Sequence, residues 1–124
     1  MSQSKVFESE YRFMQILWEN EPIKSMDLVK KCQSLLQWKP STTFTVIKRL
    51  SERGVIINEN TMIRALVTKN QVQSTELDEM FEKRFDHSIP SFVAALVNCR
   101  SISSEDLVSL RQLIDEWENK QHDY

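Results

Sequence analysis

The stretch "WKPSTTFTVIKRLSERGVI", residues 38–56, contains the only glycine of the 124-residue chain. Pro40 suits the first turn of a helix, because the N–H that proline lacks would have no intrahelical partner there. Glycine just past a last turn ends a helix, since it adopts positive φ without a Cβ clash. The stretch therefore predicts a helix from Pro40 or Ser41 to Arg53, ended by Gly54.

Two amphipathic helices are predicted before this stretch, and a β-hairpin is predicted after it. In residues 9–20 and 25–36 the apolar side chains recur at helical spacing, with Ser9 and Ser25 as candidate N-caps. After Gly54, "VII" and "MIRALV" are rich in β-branched and apolar residues and flank the turn-prone "NENT". This order is that of a winged helix-turn-helix, whose third helix enters the DNA major groove.

The two sides of the third helix differ in chemistry. At about 100° per residue, one side is apolar enough to be buried, and it carries Thr43, Val46, Ile47 and Leu50. On the other side, hydroxyls can bond base edges or phosphates, Thr and Phe can contact thymine methyl groups, and cations can neutralise phosphates. A merely solvated face is the alternative, although such faces favour Glu, Lys and Gln over Thr. The predicted DNA-binding residues are Ser41, Thr45 and Lys48 on the opposite side, Thr42 and Arg49 on one flank, and Phe44 on the other flank. Secondary phosphate contacts are predicted for Lys24, Lys39 and Arg64.

The rest of the chain is predicted to be helical, with three short apolar faces. Ser103 and Asp106 form a capping-box pattern before the last of these helices. About fifty residues are too few to hide so many large side chains, whereas a second copy would bury them in a two-fold dimer. The alternative is that these helices fold back on the N-terminal half. The predicted dimerisation residues are Leu77, Phe81, Phe85, Phe92, Leu96, Leu107, Leu110, Ile114 and Trp117.

Charge separates the two halves of the chain. Residues 1–70 hold 11 Lys and Arg against 7 Asp and Glu, whereas residues 71–124 hold 5 against 11. A basic half beside an acidic half is typical of a polyanion-binding module with a separate association module, although chance scatter is the alternative. We therefore predict a mainly α fold with a small β-hairpin, divided into a winged-helix DNA-binding domain at 1–70 and a helical dimerisation domain at 71–124.

Composition is that of a folded domain, with 40% apolar and 27% charged residues. No apolar run approaches the roughly 18 residues of a membrane span, and the first ten residues lack the apolar stretch of a signal peptide. The chain is therefore predicted to be cytoplasmic, with no membrane insertion.

No residue pattern indicates catalysis or a bound cofactor. Cys32 and Cys99 lack CxxC spacing, and only two histidines accompany them, so both cysteines are predicted to be small core residues. One glycine cannot build a phosphate loop, and no nucleophile–base set or HExxH motif is apparent. We predict no enzyme activity, no metal and no cofactor.

Three segments carry a resemblance to a known family. "EYRFMQILW", "WKPSTTFTVIKRLSERGVI" and "SSEDLVSLRQLI" resemble the BlaI/MecI/CopY family of penicillinase, methicillin-resistance and copper-operon repressors, over about residues 8–118. That family joins a winged helix to a helical dimerisation domain, and the dimer represses from a palindromic operator. The resemblance implies the same partners here, double-stranded operator DNA and a second copy. It places Ser41, Thr42, Phe44 and Thr45 towards the bases, and Lys39, Lys48 and Arg49 near the backbone.

Departures from the family pattern alter what the resemblance implies. The family commonly has basic residues at the positions of Ser41 and Phe44, so reading of guanine by arginine is lost. The wing is shorter and lacks the aromatic residues often found in its second strand. The chain ends "WENKQHDY", without the CxC cluster of the copper-responsive members, which argues against copper sensing. In β-lactam-responsive members a membrane sensor peptidase cuts the dimerisation domain, typically at Asn–Phe; the matching position, Ala95–Leu96, is the candidate cleavage site.

A protein-interaction module without DNA binding is the competing interpretation. It is favoured by the overall pI of 5.7 and by an apolar ring at position 44. Salt distinguishes the two, because phosphate contacts give a log–log slope of about −0.9 each, whereas an apolar protein interface barely responds to salt.

Overall fold

The computed structural model of the chain describes residues 4–122. This part of the chain forms six helices and one three-stranded sheet, which confirms the predicted mainly α fold with a winged helix-turn-helix. In chain order the elements are α1 (Glu8–Asn20), β1 (Ile23–Lys24), α2 (Ser25–Leu36), α3 (Pro40–Glu52), β2 (Ile56–Glu59), β3 (Met62–Ala65), α4 (Lys69–Arg84), α5 (Ile89–Cys99) and α6 (Ser104–His122).

Helix α3 begins at the predicted Pro40 and ends at Glu52, one residue before the predicted Arg53, which is its C-cap. Pro40 occupies its first turn, and Gly54, just past the C-cap, has φ of 76°. The Gly54 N–H donates to Ser51 O at 3.1 Å and the Val55 N–H donates to Leu50 O at 2.9 Å. These two bonds form a Schellman motif, which satisfies carbonyls that the helix itself leaves unpaired.

Replacing Gly54 should destabilise the fold measurably. The Gly54→Ala variant should lose about 1–2 kcal/mol of unfolding free energy, because a Cβ atom clashes at positive φ. Gly54→Asn should lose less, since asparagine tolerates the left-handed region. Urea denaturation measures both. An alanine variant as stable as the unsubstituted protein would contradict the role assigned to Gly54.

The sheet is antiparallel, with strand order β1-β3-β2. The predicted hairpin is confirmed: β2 pairs with β3, with Ile56 opposite Ala65. Asn60 and Thr61 at the turn both have positive φ, 53° and 66°, as a two-residue type I′ turn requires. Strand β1, which pairs with β3 through Ile23 opposite Ile63, was not predicted, because two residues are too few to show an alternating pattern.

One hydrophobic core holds α1, α2, α3 and the sheet together. Phe13, Leu28, Leu50 and Ile63 are fully buried, and Val72 brings the start of α4 into the same cluster. All four residues of the predicted buried face of α3 are buried, with exposures between 0 and 7%. The opposite face of α3 is therefore fixed in its outward orientation.

Two predicted N-caps are wrong by one or two residues. Ser9 is the second residue of α1, whose N-cap is Phe7; the side chain of Glu10 reaches back to accept from the Phe7 N–H at 3.0 Å. Ser25 is the first residue of α2, and Lys24 is its N-cap. Because the Ser25 N–H donates to Thr61 O at 2.8 Å, the start of α2 is tied to the sheet.

The chain divides into two compact units, the first ending at Met80 and the second beginning at Phe81. This division falls inside α4, past the predicted domain boundary at 70/71, because Val72 packs into the first unit. In the second unit, the Asp106 N–H donates to Ser103 Oγ at 3.0 Å, which confirms the predicted cap of α6. Within residues 4–122, no helix combines the length and apolarity needed to cross a membrane.

The two cysteines lie in different environments. Cys32 is fully buried on α2, as predicted, and burial raises the pKa of its thiol. Cys99 is exposed, so its predicted place in the core is wrong. The physical reason is that none of the side chains described from Phe81 to Lys120 is buried in the isolated chain.

Candidate nucleic-acid interface

The outward side of α3 gathers the predicted DNA-contact residues. The buried side chains of α3 point into the core, and residues about 180° away around the helix point to solvent. Glu52, at the end of α3, is the only acidic residue of this helix. The exposed surface of α3 therefore carries the positive charge of Lys48 and Arg49. Ser41, Thr45 and Lys48 lie on this outward side. Thr42 and Arg49 lie on one flank of it and Phe44 on the other, and all six residues are exposed.

Hydrogen bonding limits what Thr45 offers to a ligand. Its Oγ1 donates to Ser41 O at 2.9 Å, which uses the one proton of the hydroxyl. What remains outward is a hydroxyl oxygen that accepts and a methyl group. Phe44, the neighbouring residue, is 44% exposed and presents an apolar ring on the adjoining flank.

The secondary phosphate candidates flank α3 on other elements. Lys39 is the N-cap of α3, Lys24 lies on β1 and Arg64 on β3, and all three are exposed. Arg64 Nη2 lies 3.4 Å from Glu59 Oε1, with both side chains more than half exposed. Exposed pairs of this kind are weak, so this contact leaves Arg64 able to exchange its partner for a phosphate.

An ion pair that sequence reasoning missed anchors the end of α3. Arg53, the C-cap, donates to Glu10 Oε2 at 2.7 Å and to Oε1 at 2.9 Å, and also to Lys5 O at 2.8 Å. Its guanidinium lies 5.3 Å from the centre of the Phe7 ring. This network connects the end of α3 to the start of α1 and to the segment before it.

Glu10 is ionised within this network although it is 5% exposed. Burial opposes the ionisation of Glu10. The hydrogen bonds from Arg53 and the Phe7 N–H, together with the charges of Arg53 and Arg49, outweigh this effect of burial. The net effect lowers the pKa of Glu10 below its ordinary value. The carboxylate therefore stays charged at neutral pH and holds Arg53 in place.

The predicted dimerisation residues fall into two groups. Three aromatic side chains are half-buried, with Phe92 edge-on to Phe85 at 5.1 Å and to Phe81 at 6.3 Å between ring centres. The other six are exposed by 38 to 65%, namely Leu77, Leu96, Leu107, Leu110, Ile114 and Trp117. Leu77 lies in the first compact unit and the remaining eight lie in the second.

The candidate cleavage position lies inside regular structure. Ala95 and Leu96 are in the middle of α5, where the backbone is helical rather than extended. Cleavage there stays a prediction. Among the side chains that the structure describes, no group of three or more His, Cys, Asp or Glu residues is placed to hold a metal ion.

Comparisons with known proteins cover nearly the whole chain. A family model described as "Penicillinase repressor" matches residues 7–116. An uncharacterized 16.5 kDa protein in the ptsI 3′ region of Latilactobacillus sakei is 26% identical over 115 residues, covering 90% of this chain and 79% of that protein. The methicillin resistance regulatory protein MecI of Staphylococcus aureus strain Mu50 is 22% identical over 116 residues, and that of Mammaliicoccus sciuri is 21% identical. Each alignment to MecI covers 90% of this chain and 94% of the relative.

Proposed function

We propose that this chain, a transcriptional repressor that belongs to the penicillinase repressor family, binds a palindromic operator in double-stranded DNA as a homodimer. The observation that carries the proposal is the outward face of α3, where hydroxyl, apolar and cationic side chains are exposed together. Such a helix suits the major groove, where hydroxyls and methyl groups contact base edges and cations contact phosphates.

Each part of the interface has a distinct role in this proposal. Ser41, Thr42, Phe44 and Thr45 face the bases, and Lys48 and Arg49 contact the backbone. Lys39, at the N-cap of α3, and the sheet residues Lys24 and Arg64 add phosphate contacts from either side. With two copies, the recognition helices would reach half-sites about one DNA turn, roughly 34 Å, apart.

The second copy is proposed because the C-terminal helices have no core of their own. None of the side chains described from Phe81 to Lys120 is buried in the isolated chain. The most exposed apolar residues of α6, Ile114 at 63% and Trp117 at 65%, would be covered by the same face of a second chain. In this proposal residues 1–70 contact DNA and residues 71–124 form the dimer.

A charge substitution on α3 tests the DNA-binding proposal. Arg49→Ala should lower affinity by about tenfold for every duplex sequence. It should also make the log–log salt slope less steep by about 1.8, because a dimer loses two phosphate contacts. Thr45→Ala should instead change which sequences are preferred. Fluorescence anisotropy with a selected duplex and a scrambled duplex measures both effects.

Lys83→Ala is the matched control, since it removes one exposed cation from α4, about 160° around the helix from Phe81, and leaves α3 intact. Its salt slope should equal that of the unsubstituted protein. If Arg49→Ala and Lys83→Ala behave alike on both duplexes, α3 is not the DNA-binding helix. A protein-interaction module is then the better interpretation of the exposed Phe44.

A further inference from the structure

The apolar ring of Phe44 is unfavourable on a helix surface that contacts only water. Phe44 is 44% exposed and lies on a flank of α3, about 40° around the helix from Lys48 and about 100° from Thr45. Leaving apolar area in water forgoes about 25 cal/mol per Å² that burial would provide. A ligand that covers this ring with an apolar group would recover that free energy.

The hydrogen bonding of Thr45 limits which groups the ligand can place beside Phe44. Because its hydroxyl proton is used by Ser41 O at 2.9 Å, Thr45 offers the ligand an acceptor and a methyl group, and no donor. In the major groove, adenine N6 and cytosine N4 both present an amino donor, so the Thr45 acceptor alone does not separate an A·T pair from a G·C pair. Only the A·T pair adds a thymine 5-methyl group, so an acceptor beside an apolar ring matches the A·T pair better than the G·C pair.

From these two side chains we infer that Phe44 and Thr45 determine operator specificity by reading the 5-methyl group of thymine and the amino group of its paired adenine. The inference rests on the proposed function and adds the class of base that the site selects. Phe44 packs its ring on the methyl group, and Thr45 accepts a hydrogen bond from adenine N6. Lys48 and Arg49 supply phosphate contacts and carry no part of this discrimination.

Deoxyuridine tests the methyl contact, because it keeps every hydrogen-bonding group of thymine and lacks only the 5-methyl group. In a selected palindrome, each thymine is replaced in turn by deoxyuridine at both symmetric positions, and the affinity of the full-length protein is measured. At one position the loss should be about fourfold per methyl group, or about fifteenfold for the symmetric pair. At that position the Phe44→Ala variant should bind the thymine and deoxyuridine duplexes equally.

Two further variants complete the test. Phe44→Leu should keep part of the sensitivity to the methyl group, since it retains an apolar side chain. Thr45→Val, which keeps the shape and loses the acceptor, should no longer distinguish adenine from purine, which lacks the amino group. Both positions are on the surface of α3, and thermal unfolding confirms that the variants are folded.

The results separate this inference from the proposed function. Methyl readout is overturned if deoxyuridine leaves the affinity unchanged at every thymine position. It is also overturned if deoxyuridine lowers the affinity of Phe44→Ala as much as that of the unsubstituted protein. Operator binding would stand in both cases. If the unsubstituted protein retains no duplex at all, the proposed function itself fails and the inference fails with it.

Discussion

Replacing Ile114 by glutamate should lower affinity for the palindromic operator by about 100-fold or more. Ile114 is 63% exposed on α6 in the isolated chain, and the proposed dimer buries it. A carboxylate without a partner is costly to bury, so the variant should be monomeric. A monomer binds each half-site independently and loses the effective-concentration gain of about 10²- to 10⁴-fold that linked sites provide.

Gln112→Glu is the matched control for this prediction. It adds the same charge to the same helix, but Gln112 points about 160° away from Ile114 around the helix. Sedimentation velocity gives the oligomeric state, and anisotropy gives the affinities for full and half operators. The dimer proposal fails if Ile114→Glu remains dimeric with full affinity, or if Gln112→Glu disrupts the dimer equally.

The second large effect is expected at Arg53. The Arg53→Ala variant should lose about 2–3 kcal/mol of unfolding free energy, because it leaves the buried carboxylate of Glu10 without its charged partner. This loss is smaller than the roughly 3–5 kcal/mol expected when one partner of a fully buried ion pair is removed, since the Arg53 side chain is 35% exposed. Arg64→Ala, which removes the exposed Arg64–Glu59 pair, should cost less than about 1 kcal/mol. Urea denaturation compares the two variants.

Acid provides a second signature of the Arg53–Glu10 pair. The folded state lowers the pKa of Glu10 below its ordinary 4.5. The contribution of ionised Glu10 to the unfolding free energy is therefore complete above pH 4.5. It is lost as the pH falls from there through the folded-state pKa. The stability difference between the unsubstituted protein and Glu10→Gln should therefore shrink on acidification. A difference that stays constant with pH, or equal losses in Arg53→Ala and Arg64→Ala, would contradict the anchoring role.

The bounds and the buried face of α3, which depend on near neighbours in the chain, follow from the sequence. The start of α3 follows from the fixed φ of Pro40, and its end follows from the one residue that adopts positive φ without strain, Gly54. The buried face of α3 follows from helical periodicity alone. These features are local, so no partner in the rest of the chain had to be identified.

Features that depend on distant partners escaped prediction. Glu10 falls on the buried side of α1, which indicates a charged partner, but periodicity cannot choose Arg53 among 16 basic residues. The two residues of β1 are extended because they pair with β3, a partner distant in the sequence. Cys99 is predicted to be a core residue because it lacks the CxxC spacing of a metal or redox site, yet α5 has no buried residue in the isolated chain. The base-facing and dimerisation roles stay predictions, because they depend on molecules other than this chain.

Selection from a pool of random duplexes, at two salt concentrations, tests the central claim most directly. The retained duplexes are sequenced, and the affinity of the best one is measured at each salt concentration. The proposal predicts one palindromic site whose affinity falls steeply with salt, by a log–log slope of about −0.9 for each phosphate contact. No enrichment at either salt concentration would contradict operator binding.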